Sequence, residues 1–302
     1  MKHAQEKGAT AKQAFPFRAC FNEQIFLRSR KRSSERADLR VWLAKKREQA
    51  FPFPAKRIFE GETLKEKGTK FGQFYQKHIE KIIPMRSFFS VIFCFVFNSL
   101  IYTGTQILMG SAKHYDLTTG LDRSIPFMPG WSFIYLGCFL FWAVNYILIT
   151  RQSREEWFQF ATGDYLSRLI CGIFFVLLPT TNIRPEIVGD GVVQGLIHFI
   201  YRIDAPTNLF PSIHCLVSWM CFIGIRGKSY IPKWYRIFSC LFAIAVFAST
   251  LFTKQHFVID VVAGVIFAEI CYYIGRHTKF YRKVGRIFDN VNRKAFGGLY
   301  EE

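Results

Sequence analysis

The sequence predicts an all-α integral membrane protein: a six-helix bundle preceded by a basic N-terminal extension. Three observations predict it. Half of the 302 residues are hydrophobic and 18% are aromatic, with 34 Phe. Mean hydropathy is positive, +0.13, in a chain that also carries 40 Lys and Arg and 22 Asp and Glu, so charged and apolar residues must be segregated. They are: 21 of the basic residues precede Ser87, seven follow Gly275, and six apolar stretches fill the interval. This composition excludes a fibrous or wholly disordered chain. The net charge of +18 first suggests nucleic acid. Basic ends around a nearly neutral apolar body, with no recognised nucleic-acid motif, instead fit a bilayer whose headgroups are anionic.

Residues 1–66 form the basic extension, including RSRKRSSER and the proline-broken FPFPAKR. It is expected to lack fixed structure, apart from one short helix near 36–48. It contains no apolar core of a cleavable signal peptide, so the first span is expected to act as the membrane signal. In 67–84, Phe71, Phe74, Tyr75, Ile79 and Ile82 recur at a spacing of three to four, with Lys70, Lys77 and Lys81 elsewhere on the wheel. That pattern predicts an interfacial helix, with Pro84 bending the chain into the first span. A bilayer core needs about 20 apolar residues per helix. The candidate spans are 87–109, 131–150, 165–181, 211–225, 235–253 and 256–275, within a domain covering 85–280. The third and fourth are shorter and more polar, and are expected to sit behind their neighbours. Val192, Val193, Leu196, Ile197, Ile200 and Tyr201 predict a second amphipathic helix after span three, and 281–302 is a basic tail.

Seven of the eight cysteines lie inside apolar runs, with no Cys-x-x-Cys pair and no histidine at metal spacing. They read as small buried hydrophobes, and neither a metal nor a cofactor is expected. With the N-terminus in the cytoplasm, the loops and tail on that side hold 13 Lys and Arg beyond the N-terminal 21. The other side holds five: Lys113, Arg123, Arg184, Arg202 and Lys254. This asymmetry predicts a multi-pass plasma-membrane protein with both termini cytoplasmic.

On that map the unusual polar residues converge at one depth on the extracytoplasmic side. Arg184 follows span three, Ser212 and His214 open span four, Ser249 and Thr250 close span five, and Lys254, His256 and Asp260 straddle the turn into span six. His256 and Asp260, four apart, share a helix face about 6 Å apart along the axis. A carboxylate there holds one imidazole nitrogen as N–H and frees the other as a nucleophile. The alternative is an interfacial histidine beside an aspartate that caps a helix. Pro211 suits a first helical turn, whose free N–H groups favour an anion such as phosphate. Ser212 adds a hydroxyl, and His214 is placed as a general acid, or is simply an interfacial residue. Arg184 is a fixed cation able to grip phosphate oxygens, and Lys254 adds a point charge; either also suits lipid headgroups. Asn98, Asn145, Arg168 and Glu269 read as bundle packing or headgroup contacts. Asp204 and Asn208 precede the PSIH segment, placed to orient the loop or contact substrate, or to serve as turn residues.

Arg184-Pro185, Pro211-Ser212-Ile213-His214 and Ser249…His256…Asp260, in that order on six spans, resemble the motifs of the type 2 phosphatidic acid phosphatase (PAP2) superfamily over about residues 165–275. The resemblance implies a PAP2-type bundle in which His256 is phosphorylated, Asp260 orients it, His214 protonates the leaving group, and Arg184 and Ser212 bind phosphate. Three positions depart from the family pattern: Leu177 stands where the family has Lys, Ile213 where it has Gly, and Thr250 where it has Arg. The first and last departures remove phosphate-gripping cations, which Lys254 is expected to replace in part. The departures look more like the inositol phosphorylceramide synthase branch, which moves a phospho-headgroup to an alcohol. The resemblance implies a lipid phosphate phosphatase, acting on a lipid phosphate or phosphodiester, or a headgroup phosphotransferase of that branch. The missing cations motivate a third reading, a non-catalytic lipid-binding scaffold.

Overall fold

The computed structural model describes residues 68–300. The extension 1–66 and the helix expected near 36–48 lie outside the described residues. Helix α1 (Lys70–His78) is capped by Thr69, whose hydroxyl accepts from the Gly72 N–H. It is shorter than the expected 67–84, and the chain turns through 79–83 before Pro84 caps α2 (Met85–Met109). Next come β1 (Tyr115–Asp116) and the short α3 (Gly120–Ser124), then a 3-10 turn and α4 (Ser132–Thr150). Helix α5 (Arg154–Leu177) begins at a Ser153–Glu156 capping box. It therefore starts eleven residues before the expected 165, because its first turns are amphipathic: Arg154, Glu155 and Glu156 stay at least partly exposed while Trp157, Phe158 and Phe160 are buried. Strand β2 (Thr180–Thr181) pairs parallel with β1, and α6 (Val192–Ile203) is the second amphipathic helix. The chain ends with α7 (Ile213–Ile225), α8 (Lys233–Phe252), α9 (Val258–His277) and α10 (Tyr281–Phe296).

Among the described residues five helices are long and apolar enough to cross a membrane: α2, the Pro129–Thr150 segment, α5, α8 and α9. Helix α7, with 13 residues, rises only about 20 Å, less than the roughly 30 Å hydrocarbon core. Its burial accounts for this. Cys215, Leu216, Met220, Cys221, Ile223 and Ile225 are fully buried, so α7 is the central helix of the bundle and its ends meet protein rather than lipid. Small residues bring the helices together. A Cβ on Gly275 would lie 2.3 Å from the Gln159 carbonyl oxygen, so α9 meets α5 backbone to backbone. A Cβ on Gly264 would lie 2.8 Å from the Ser212 carbonyl, so only glycine lets α9 approach the turn that begins α7.

Midway along α5, Arg168 donates to the Asp164 carboxylate at 2.8 Å, and the Tyr146 hydroxyl donates to the same oxygen at 2.6 Å. Arg168 therefore packs the bundle, as its sequence context suggested. Within the expected tail, the described residues 281–300 do more than carry charge. Helix α10 docks on α2 and α5 through buried Tyr281, Val284 and Phe296, with Phe288 among Phe93, Phe158 and Tyr165. Phe296 and Tyr300 enclose Tyr75 of α1.

Candidate active site

The connections 151–153, 226–232 and 278–280 lie at one end of the bundle, so the long connections 110–131 and 178–212 and the tight turn 253–257 meet at the other. That end holds every residue singled out by the motifs. Asp260 is the third residue of α9, where its Oδ2 accepts from the Phe257 N–H at 2.9 Å. The same oxygen lies 3.3 Å from His256 Nδ1. One carboxylate thus caps the helix and holds the imidazole, so the two readings of this residue coexist. Both groups are buried, Asp260 completely. His256 sits just before α9 because the preceding turn is tight: the Thr250 carbonyl accepts from both the Gln255 and His256 N–H groups, and Lys254 takes a positive φ of 54°.

His214 is the second residue of α7, and its ring centroid lies 5.8 Å from that of His256. Aromatic rings hold it: Tyr135 at 4.6 Å, Trp142 at 5.6 Å and Phe139 at 6.1 Å. Behind it, the Asp204 carboxylate accepts from the Tyr102 and Tyr135 hydroxyls, one on each oxygen. Burial works to raise the Asp204 pKa, but His214, the two hydroxyls and His256 hold it below the usual carboxylate range. An ionised Asp204 therefore lies among the histidines, which gives this residue a firmer place than its position before PSIH suggested. Asn208 is buried and donates to the Tyr102 carbonyl and to Thr105 Oγ1 at 2.9 Å, so it fastens the loop to α2.

Arg184 is anchored. Its Nη2 donates to the Asp204 carbonyl at 2.6 Å and to Gln255 Oε1 at 2.7 Å, its Nη1 donates to the Tyr201 carbonyl, and the guanidinium lies over the Tyr201 ring. Lys254 Nζ donates to the Asp122 and Ile125 carbonyls. Ser212 is fully buried, where its hydroxyl accepts from the Cys215 N–H and its own N–H donates to the Asp260 carbonyl at 3.1 Å.

His256 lines two cavities. One, of about 200 Å³, is bounded by Asn98, Tyr102, Phe139, Trp142, Asp204 and His214. The other, of about 260 Å³, is bounded by Arg123, Arg184, Lys254, Asn182 and Phe257 among others. Ser212 lines neither. The positions that depart from the motifs supply no cation: Leu177 is 75% exposed at the end of α5, and Thr250 is buried with its hydroxyl on the Phe247 carbonyl. Among the described residues no cluster of His, Cys, Asp and Glu suited to a metal ion occurs. Sequence reasoning missed Tyr102 and Tyr135, which read as ordinary aromatic residues of spans, and counted Arg123 only toward orientation. Asp122 was also missed: it accepts from the Val258 N–H at 2.8 Å and ties the first long loop to the start of α9.

Residues 125–274 match the PAP2 superfamily. An uncharacterized protein of Methanocaldococcus jannaschii is 32% identical over 84 residues, 27% of this chain. The match spans 34% of that relative's length. No solved structure matches the chain.

Proposed function

The chain belongs to the PAP2 superfamily by its match over residues 125–274, and from that premise we propose that it is a lipid phosphate phosphatase acting through a phosphohistidine. Phosphatase or phosphotransferase chemistry of a general kind accompanies that membership; the particular reaction is our reading. The observation that carries it is the pair of histidine rings 5.8 Å apart, one held by Asp260 and the other lining the same cavity as Asp204. With Nδ1–H directed at Asp260, Nε2 of His256 is the nucleophile. It attacks phosphorus, the ester P–O bond breaks, and protonated His214 gives its proton to the departing alkoxide. His214, now neutral, then takes a proton from water as the water oxygen attacks the phosphohistidine. Phosphate leaves and His256 is restored. Cationic and backbone donors around the cavity stabilise the charge on the phosphoryl oxygens.

A second reading, transfer to an alcohol, is favoured by the two cavities. A hydrolase needs space for one lipid and a water, whereas His256 borders a cation-lined space and a separate aromatic-lined one. A phosphate donor in the first and an alcohol in the second would flank the same nitrogen.

The deciding measurement uses purified protein in detergent with a panel of lipid phosphates and phosphodiesters, with and without acceptor alcohols. Free phosphate that disappears in His256→Ala supports the phosphatase. A new headgroup lipid without free phosphate selects the transferase. Neither product, with lipid still bound, leaves a lipid-binding scaffold. We also place the site on the extracytoplasmic face of the plasma membrane, with both termini cytoplasmic, on the loop charge asymmetry. Val188 is exposed at the site end. A Val188→Cys variant in an otherwise unreactive background should react with an impermeant maleimide in intact cells; labelling only after lysis would refute this orientation.

A further inference from the structure

The site lacks cations at the two family positions, Leu177 and Thr250, yet a phosphoryl group attacked by His256 needs positive charge at its oxygens. Three cations border the His256 cavity: Arg123, Arg184 and Lys254. They differ in what they already hold. Arg184 gives Nη1 and Nη2 to the Tyr201 and Asp204 carbonyls and to Gln255, and only its buried Nε is without a partner. Lys254 is committed to the Asp122 and Ile125 carbonyls. The Arg123 backbone N–H donates to the Thr119 carbonyl, but its guanidinium has no hydrogen-bond or ion-pair partner among the described residues and is exposed to solvent.

Its loop is nevertheless fixed. Thr119 and Asp122 form a reciprocal capping box at the start of α3. Asp122, 6% exposed, accepts from the Val258 N–H, two residues after His256. Lys254, two residues before His256, grips the carbonyls on either side of Arg123. The Arg123 loop is therefore tied to the chain on both sides of His256, through the Asp122 and Lys254 side chains. A free guanidinium on a tethered loop, at the rim of the nucleophile's cavity, can close a two-pronged contact on phosphate oxygens with little ordering cost.

We propose that Arg123 binds the phosphoryl group of the lipid substrate in place of the missing cations, and that Lys254 is a positioning residue that holds the Arg123 loop against the His256 turn. This deepens the phosphohistidine reading and rests on it for the identity of the ligand as a phosphate ester. The site would then be completed from the first long loop, outside all three sequence motifs, and would favour donors whose headgroup leaves room for that loop.

The test pairs a binding assay with turnover. Orthovanadate, a phosphate mimic, is titrated into the purified full-length protein in detergent, for the wild type, Arg123→Gln, Arg123→Lys and Lys254→Met. Turnover is measured on the phosphate ester that the wild type uses best. Arg123→Gln is expected to weaken vanadate binding and raise KM by about 10- to 100-fold, the usual range for a charged hydrogen bond to phosphate. Its melting temperature should stay unchanged, because the Arg123 guanidinium has no partner to lose. Arg123→Lys should recover part of the binding, since it keeps the charge and loses the fork. Lys254→Met should lower the melting temperature as well as vanadate affinity. Wild-type affinity and KM in Arg123→Gln would overturn the proposal, as would a fall in its melting temperature matching that of Lys254→Met. Full turnover in His256→Ala would defeat the phosphohistidine reading alone; the vanadate titration would still decide whether Arg123 binds phosphate.

Discussion

Two buried polar clusters of this protein use the same residue types to different ends. In the middle of the bundle, Asp164, Arg168 and Tyr146 close on one another, with all three side chains buried. At the end of the bundle, Asp204 gathers Tyr102 and Tyr135, and beside it His214 faces His256 and Asp260. The first cluster borders neither site cavity; the second borders both. Intramembrane charge alone therefore does not mark a working site. A carboxylate neutralised by its own helix neighbour four residues away fits packing, whereas a histidine held at one nitrogen beside a cavity is the group to which the proposed chemistry is assigned.

The largest test of this contrast removes the proposed nucleophile. His256→Ala should lower turnover by about ten-thousandfold, and Asp260→Asn by about a hundredfold or more, in steady-state assays of properly inserted protein. Near-normal rates in either would break the comparison. Next is the central pair. Arg168→Ala strands Asp164 in the bundle and should cost about 3–5 kcal/mol of stability, read as a lower unfolding midpoint, while folded protein keeps its kcat. A loss of kcat without loss of stability would move this cluster into the functional class. The triple variant Asp164→Leu, Arg168→Met and Tyr146→Phe should recover most of the midpoint, because it removes the ion pair together with the hydroxyl that donates to Asp164.

A smaller effect is expected at Asp204. Asp204→Asn should slow turnover by about tenfold to a hundredfold through the loss of the charge beside His214. It also carries a pH signature. The carboxylate pKa is depressed in the folded state, so the stability it contributes is present above its unfolded value of about 3.9 and is lost as pH falls through the lower folded value. The wild type should therefore outlast Asp204→Asn in thermal inactivation at neutral pH, and the gap should shrink toward acid. A gap independent of pH would show that packing, not charge, is what Asp204 supplies.

Much of the bundle was legible in the residues. The apolar stretches marked where each helix lies, because spacing along a chain and the thickness of a bilayer are local constraints. Alternating span direction placed Arg184, His214 and His256 at one end before any packing was known. The polar start of α5 was not legible, because hydropathy assigns charged first turns to loops, whereas Trp157 and Phe160 face the core there. The structure of the last segment was missed for a related reason: Tyr281, Val284 and Phe296 gain meaning only when α2 and α5 present a surface to them.

By itself the sequence determined the membrane class, the rough positions of the apolar segments, and the His256–Asp260 pair, since residues four apart on a helix must share a face. Tertiary structure alone decided which donors remain open. Ser212 accepts at the start of α7 and borders neither cavity, Lys254 gives two of its donors to carbonyls of the first long loop, Arg184 gives both terminal nitrogens to its surroundings and keeps Nε unpartnered, while the Arg123 guanidinium makes no bond among the described residues. It also decided that Tyr102 and Tyr135 meet Asp204 across about 100 and 70 residues of chain. The physical reason is that hydrogen bonds between distant segments depend on helix approach and rotation. Those are set by packing contacts such as Gly264 against the Ser212 carbonyl, and no periodicity within a single segment records them.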